Sequence, residues 1–83
     1  MKEKVNIIFK EYDDDNFFVL LKRNSVNLFM DFGICGFNDE MEYWGMPTKG
    51  IVFMGEAGFL FSNEIDKSDV KTEIERFIIH NDI

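Results

Sequence analysis

Asp13-Asp14-Asp15-Asn16 sets hard oxygen donors side by side, the raw material of a calcium loop. Such a loop also needs a glycine at its sharp turn and a distal bidentate glutamate. Phe18 stands where the glycine would be and an apolar run follows, so the segment reads as a solvated hairpin tip. His80 is the only histidine, three positions from the end, so imidazole catalysis or metal binding would rest on that one residue. It reads as a favourable group at the negative end of a last helix. Cys35 is the only cysteine and cannot bridge within the chain. With no Lys, Arg or His beside it to lower its pKa, it reads as a small buried apolar residue rather than a nucleophile. Gly33-Ile-Cys-Gly36 and Gly55-Glu-Ala-Gly58 lack the lysine and the spacing of a phosphate loop. Nothing selects an acid/base pair from the sixteen carboxylates, and no catalytic residue, metal ligand or cofactor is expected.

One constellation remains. Asn38-Asp-Glu-Met-Glu-Tyr-Trp-Gly-Met-Pro47 places Asp39, Glu40 and Glu42 around Met41, Tyr43, Trp44 and Met46, and holds the only tryptophan and the only proline. Its large apolar groups have two outcomes. They fold back over a sheet as core, or they stand exposed as an aromatic anchor ringed by charge. The carboxylates must stay wet or paired, which opposes full burial. Asp39, Glu40, Met41, Glu42, Tyr43, Trp44 and Met46 are therefore the expected partner-binding residues, with Asp13, Asp14 and Asp15 as a second contact.

Net charge is −7, and its placement matters more than its size. Basic and acidic residues cancel over residues 1–23, and residues 67–83 carry −1. Residues 24–66 set Lys49 alone against Asp31, Asp39, Glu40, Glu42, Glu56, Glu64 and Asp66, a balance of −6. Phosphates would be repelled, so direct nucleic-acid binding is not expected, whereas a basic protein would be steered in.

The elements that must position these residues are short. Val5, Ile7 and Phe9 alternate with polar neighbours as a first strand. Phe17 to Leu21 is apolar on both faces and reads as a central strand. Asn24-Ser25 is a tight turn into a third strand over Val26, Leu28, Met30 and Phe32, making a meander. A glycine-punctuated loop of about eighteen residues follows, with room for a short strand near Glu42 to Trp44. Ile51–Met54 and Phe59–Phe61 are short strands around a turn from Gly55 to Gly58. Val70, Ile74, Phe77 and Ile78 then fall on one helical stripe, predicting a helix from about Ser68 to His80. The expected fold is α+β: one domain over residues 1–83, with a four- or five-stranded antiparallel sheet and one C-terminal helix packed on a face.

No apolar run is long enough for a signal sequence or a membrane span, which points to a cytoplasmic protein without membrane contact. In size, acidity and aromatic content over its whole length, the chain resembles the small acidic immunity proteins and antitoxins that bacteria keep against nuclease toxins, including those of contact-dependent growth inhibition. That resemblance implies an inhibitor covering the basic substrate cleft of a toxin domain, and it carries no residue roles with it. Two other classes are weighed against it. One is a regulatory or scaffold module that binds protein through a sheet edge or the aromatic loop. The other is a small carboxylate- or thiol-dependent enzyme. Assembly is open between a monomer and an edge-paired homodimer.

Overall fold

Strand β2 (Asn16–Arg23) is the axis of the molecule, its five central residues Phe17 to Leu21 all buried. The structure is a computed structural model and describes residues 4–31 and 35–83. Strand β1 (Asn6–Glu11) pairs antiparallel with β2 from Asn6↔Lys22 to Glu11↔Phe17. The tip between them is closed by Asp13, whose Oδ1 accepts the backbone amides of Asp15 at 2.9 Å and Asn16 at 2.7 Å. An aspartate that satisfies its own turn in this way explains the hairpin without a metal.

Asn24 and Ser25 both have positive φ, 51° and 67°, as a two-residue hairpin turn requires. The third strand they lead into is only Val26–Asn27, designated β3. The expected continuation through Leu28 and Met30 is instead a short helix, α1 (Leu28–Asp31), and the expected strand end at Phe32 lies outside the described residues. Asn27 makes the switch: its Oδ1 accepts the Phe29 amide at 2.9 Å while its Nδ2 donates to the Ala57 carbonyl at 2.7 Å. The place beside β2 that a longer third strand would fill belongs to β5 (Ala57–Ser62), paired from Asn16↔Ser62 to Val19↔Phe59. Beyond it lies β4 (Ile51–Phe53), giving the order β1-β2-β5-β4 with β3 attached to the end of β2.

Alternation along the strands makes two unequal faces. Phe17, Val19, Leu21, Ala57, Phe59 and Phe61 turn toward the helices, where they join Leu28, Phe29, Phe37, Met41, Met46, Val70, Ile74 and Phe77 in the main core. Its rings pack tightly, with Phe37 centred 4.8 Å from Phe59 and 5.3 Å from Phe77. Phe18, Leu20 and Leu60 form a smaller cluster on the opposite face, flanked by Ile8 and Val52. Gly58 sits in that face and not in a turn as expected. A Cβ there would lie 2.3 Å from the Phe18 ring, so only hydrogen lets the ring lie flat on the strand.

Helix α3 (Lys67–His80) covers the main core through Val70, Ile74 and Phe77, close to its expected span. Asp66 caps it, accepting the Ser68 amide at 2.8 Å. An antiparallel sheet with a C-terminal helix is thus the α+β architecture that strand and helix periodicities require. None of the helices among the described residues is long and apolar enough to cross a membrane.

The main departure lies between residues 33 and 50. Much of that stretch is helix α2 (Cys35–Tyr43), where a loop with an optional strand near Glu42 to Trp44 was expected. Gly33 and the expected burial of the Cys35 side chain fall outside what is described. Gly45, at φ 80°, ends the helix. Its amide donates to the Glu42 carbonyl at 3.0 Å and that of Met46 to the Met41 carbonyl at 2.9 Å, a paired C-terminal closure that folds Met46 back toward Met41. Both methionines enter the core, Met41 completely. Thr48 then donates to Asn38, fastening the return segment to the helix that it leaves.

Candidate functional site

Helical phase divides residues 38–47 between inside and outside. On α2, Phe37 and Met41 lie one turn apart and face the core. Glu40 and Trp44, also four apart, stand on the flank that meets α3, where Arg76 lies over the indole, while Asp39, Glu42 and Tyr43 are exposed. Met41 and Met46 are therefore corrected from partner-binding residues to core. Met41 is fully enclosed, and the closure at Gly45 pulls Met46 in behind it.

Trp44 and Tyr43 stay accessible, at 46% and 79% exposure. Their rings meet edge to face at 5.2 Å. The Trp44 indole donates to Glu40 Oε2 at 3.0 Å, and the guanidinium of Arg76 lies over the indole at 4.9 Å. Arg76 in turn holds Glu73 Oε1 at 2.9 Å. Glu40, Trp44, Arg76 and Glu73 thus form a chain of contacts joining the end of α2 to the middle of α3, and this fixes the indole orientation without covering it.

Beside the indole runs a groove of about 570 Å³, lined by Trp44, Gly45, Met46, Glu64, Ile65, Asp66, Asp69, Thr72 and Glu73. Four of these side chains are acidic and none is basic. Glu73 is 7% exposed, and its Oε2 is buried without a hydrogen-bond partner. The Asp66 carboxyl is held below its ordinary 3.8 by hydrogen bonds, first from the Ser68 side chain and then from its backbone amide.

The second expected contact adjoins this groove. Asn63 donates from its side chain to the carbonyls of Asp13 and Asp14, at 3.3 and 2.9 Å, and its amide donates to the Asp15 carbonyl at 2.8 Å. The β1–β2 tip is therefore tied to the segment between β5 and α3. Glu64, from that segment, lines both the Trp44 groove and a smaller one of about 320 Å³ that contains Asp14, Asp15 and Lys49. Asp13 is held below 3.8 chiefly by the Asp15 amide. A mainly acidic margin results, from the hairpin tip through Glu64 and Asp66 to Trp44, with Lys49 and Lys67 set among the carboxylates at the tip end.

Glu64, Asp66, Asp69 and Glu73 were not singled out as a site by sequence reasoning. Asp66 is the N-cap of α3 and Asp69 lies in its first turn. Glu73 falls three residues after Val70 and one before Ile74, next to the buried stripe, and that spacing is the signal that marks it as an inward carboxylate. Among the described residues no group of three or more His, Cys, Asp or Glu is placed to hold a metal ion. His80 stands exposed in the last turn of α3.

No family model, curated protein or solved structure matches the chain.

Proposed function

We propose that the protein is an acidic, protein-binding inhibitor that receives a basic partner on the margin around Trp44. The most specific form of this reading is an immunity protein that neutralises a nuclease-type toxin. A nuclease must present a basic cleft to its phosphates, and carboxylates laid over that cleft displace them by charge mimicry while speeding encounter. The observation that carries the reading is the pairing of a half-exposed, orientationally fixed tryptophan with a groove whose charged side chains are all acidic. Interface hot spots favour such an aromatic anchor at the centre, with charges at the rim setting rate and register. The protein acts without catalysis and in the cytoplasm, where such a toxin would do its damage.

The test begins with the genes adjoining this chain's own. A toxin-like C-terminal domain encoded there is expressed with and without the chain, and growth and nuclease activity are measured. Protection together with stoichiometric loss of nuclease activity supports the proposal. A neighbouring toxin that remains fully active in the presence of the chain refutes it.

A second reading is favoured by β4. It ends the sheet, is three residues long, and leaves Phe53 71% exposed. A regulatory module would bind there by strand addition. Phe53→Asp would then abolish partner binding while Trp44→Ala left it intact, the reverse of what the inhibitor reading requires.

A further inference from the structure

We infer that the groove between the end of α2 and the first half of α3 is a guanidinium site, built to take one arginine side chain of a basic partner protein. This deepens the reading of the acidic margin and rests on it.

Three observations converge. The groove wall holds Glu64, Asp66, Asp69 and Glu73 with no lysine or arginine among its lining side chains, and its volume of about 570 Å³ falls within the roughly 300–1,000 Å³ of ligand sites. Glu73 is more than nine-tenths buried, yet its Oε2 has no donor. A carboxylate oxygen left unpaired away from water is costly, and because Glu73 lines the groove, a small turn of its carboxylate about the Arg76 pair brings Oε2 to a donor there. Finally, the molecule already performs the proposed chemistry once. Arg76 stacks on Trp44 at 4.9 Å and pairs with Glu73 Oε1 at 2.9 Å, using the ring and one of the two carboxylate oxygens.

The side chain that fits is arginine rather than lysine. A guanidinium is planar, more weakly hydrated than an ammonium and able to stack on an aromatic ring while its fork of donors reaches carboxylates. With four acids lining the groove and Arg76 beside it, the local formal charge is −3, leaving room for a further cation. Each partner is satisfied in the complex: Glu73 Oε2 gains a donor, Asp69 gains a counter-charge, and the exposed indole surface is covered.

The test is an NMR titration of the full chain at constant ionic strength with N-acetylarginine methylamide, its lysine counterpart and the uncharged norleucine counterpart. Trp44 is the only tryptophan, so its indole N–H is a single, assigned reporter at the groove. Saturable shifts are expected at that N–H and at the amides of residues 64–73 with the arginine probe, weaker ones with lysine, and none with norleucine. Glu73→Gln should lower affinity by about tenfold or more, and Glu75→Gln, at an exposed position outside the groove, should leave it unchanged. Should Glu73→Gln fail to fold, Asp69→Asn, at an exposed position, decides in its place with a smaller loss. Shifts that never saturate, an equal response to lysine, or indifference to both groove variants would overturn the assignment. The two proposals fail separately. Arginine binding without toxin neutralisation keeps the site and removes the inhibitor. Neutralisation undiminished by Glu73→Gln and Asp69→Asn keeps the inhibitor and removes the site.

Discussion

The guanidinium of Arg76 lies over the indole of Trp44, 4.9 Å from the ring centroid, and joins two helices through a side chain that is still 46% exposed. A cation on one side and the Glu40 carboxylate on the indole N–H hold the ring in place before any partner arrives. An anchor ordered in advance loses little side-chain entropy on binding, which is where much of the cost of association lies.

Trp44 and Met41 should separate binding from folding. Trp44→Ala is expected to weaken partner binding by about 2 kcal/mol or more, mainly through faster dissociation, with a small loss of stability. Met41→Ala, at a fully buried position, is expected to cost roughly 2–5 kcal/mol of stability and to leave the affinity of the folded fraction unchanged. Urea unfolding beside surface-immobilised binding kinetics checks both. Equal stability losses for the two variants would contradict their assignment to surface and core.

The outward carboxylates of α2 should act on rate. Replacing Asp39 and Glu42 by Lys is expected to slow association and flatten its dependence on salt, with a smaller effect on dissociation. Stopped-flow measurement from low to high ionic strength is the check, and a parent rate that ignores salt would count against steering.

Gly58 should tolerate no side chain. An added Cβ would meet the Phe18 ring at 2.3 Å and the Val19 carbonyl oxygen at 2.6 Å, and the second of these is backbone that cannot swing aside. Gly58→Ala is expected to destabilise by about 1–3 kcal/mol, read as a lowered urea midpoint. Wild-type stability would contradict the close approach of β2 to β5 at Gly58.

Acid should loosen the hairpin tip and the start of α3. Asp13 and Asp66 both have folded-state pKa values below 3.8, from amide hydrogen bonds at Asp13 and from Ser68 at Asp66. A depressed folded pKa gives stability that is present above the unfolded value and lost as pH falls through the folded one. Melting temperature should therefore drop below about pH 4. Asp13→Asn and Asp66→Asn should each start lower at neutral pH and fall less on acidification. A parallel fall in parent and variants would contradict these contributions.

Periodicity made the sheet and α3 legible, because β1, β2, β5 and α3 each bury a face or stripe that repeats for several residues. Helix α2 was obscured because only Phe37 and Met41 mark its buried side, with Gly36 inside it and carboxylates around it. Its end was nonetheless written in Gly45 and Pro47, a helix-stopping pair that reads equally well as loop punctuation. The short β3 was hidden for another reason. Val26 to Phe32 alternates well enough for a strand, but the long-range pairing of β5 with β2 takes the space, and Asn27 turns the chain aside. At the site, Trp44 and its acidic neighbours could be named from composition. Glu64, Asp66, Asp69 and Glu73 could not, since their meeting with Trp44 depends on how α3 packs against α2 across a long separation in sequence.

Because Trp44 is unique, growth on fluorotryptophan places one fluorine reporter at the centre of the proposed surface. Its resonance, followed as the neighbouring toxin domain is added at physiological salt, tests the central claim most directly. The expected result is a new bound-state signal that saturates at one equivalent and is lost at high salt. A complex that forms while the fluorine signal keeps its free position would place the contact elsewhere and contradict the account.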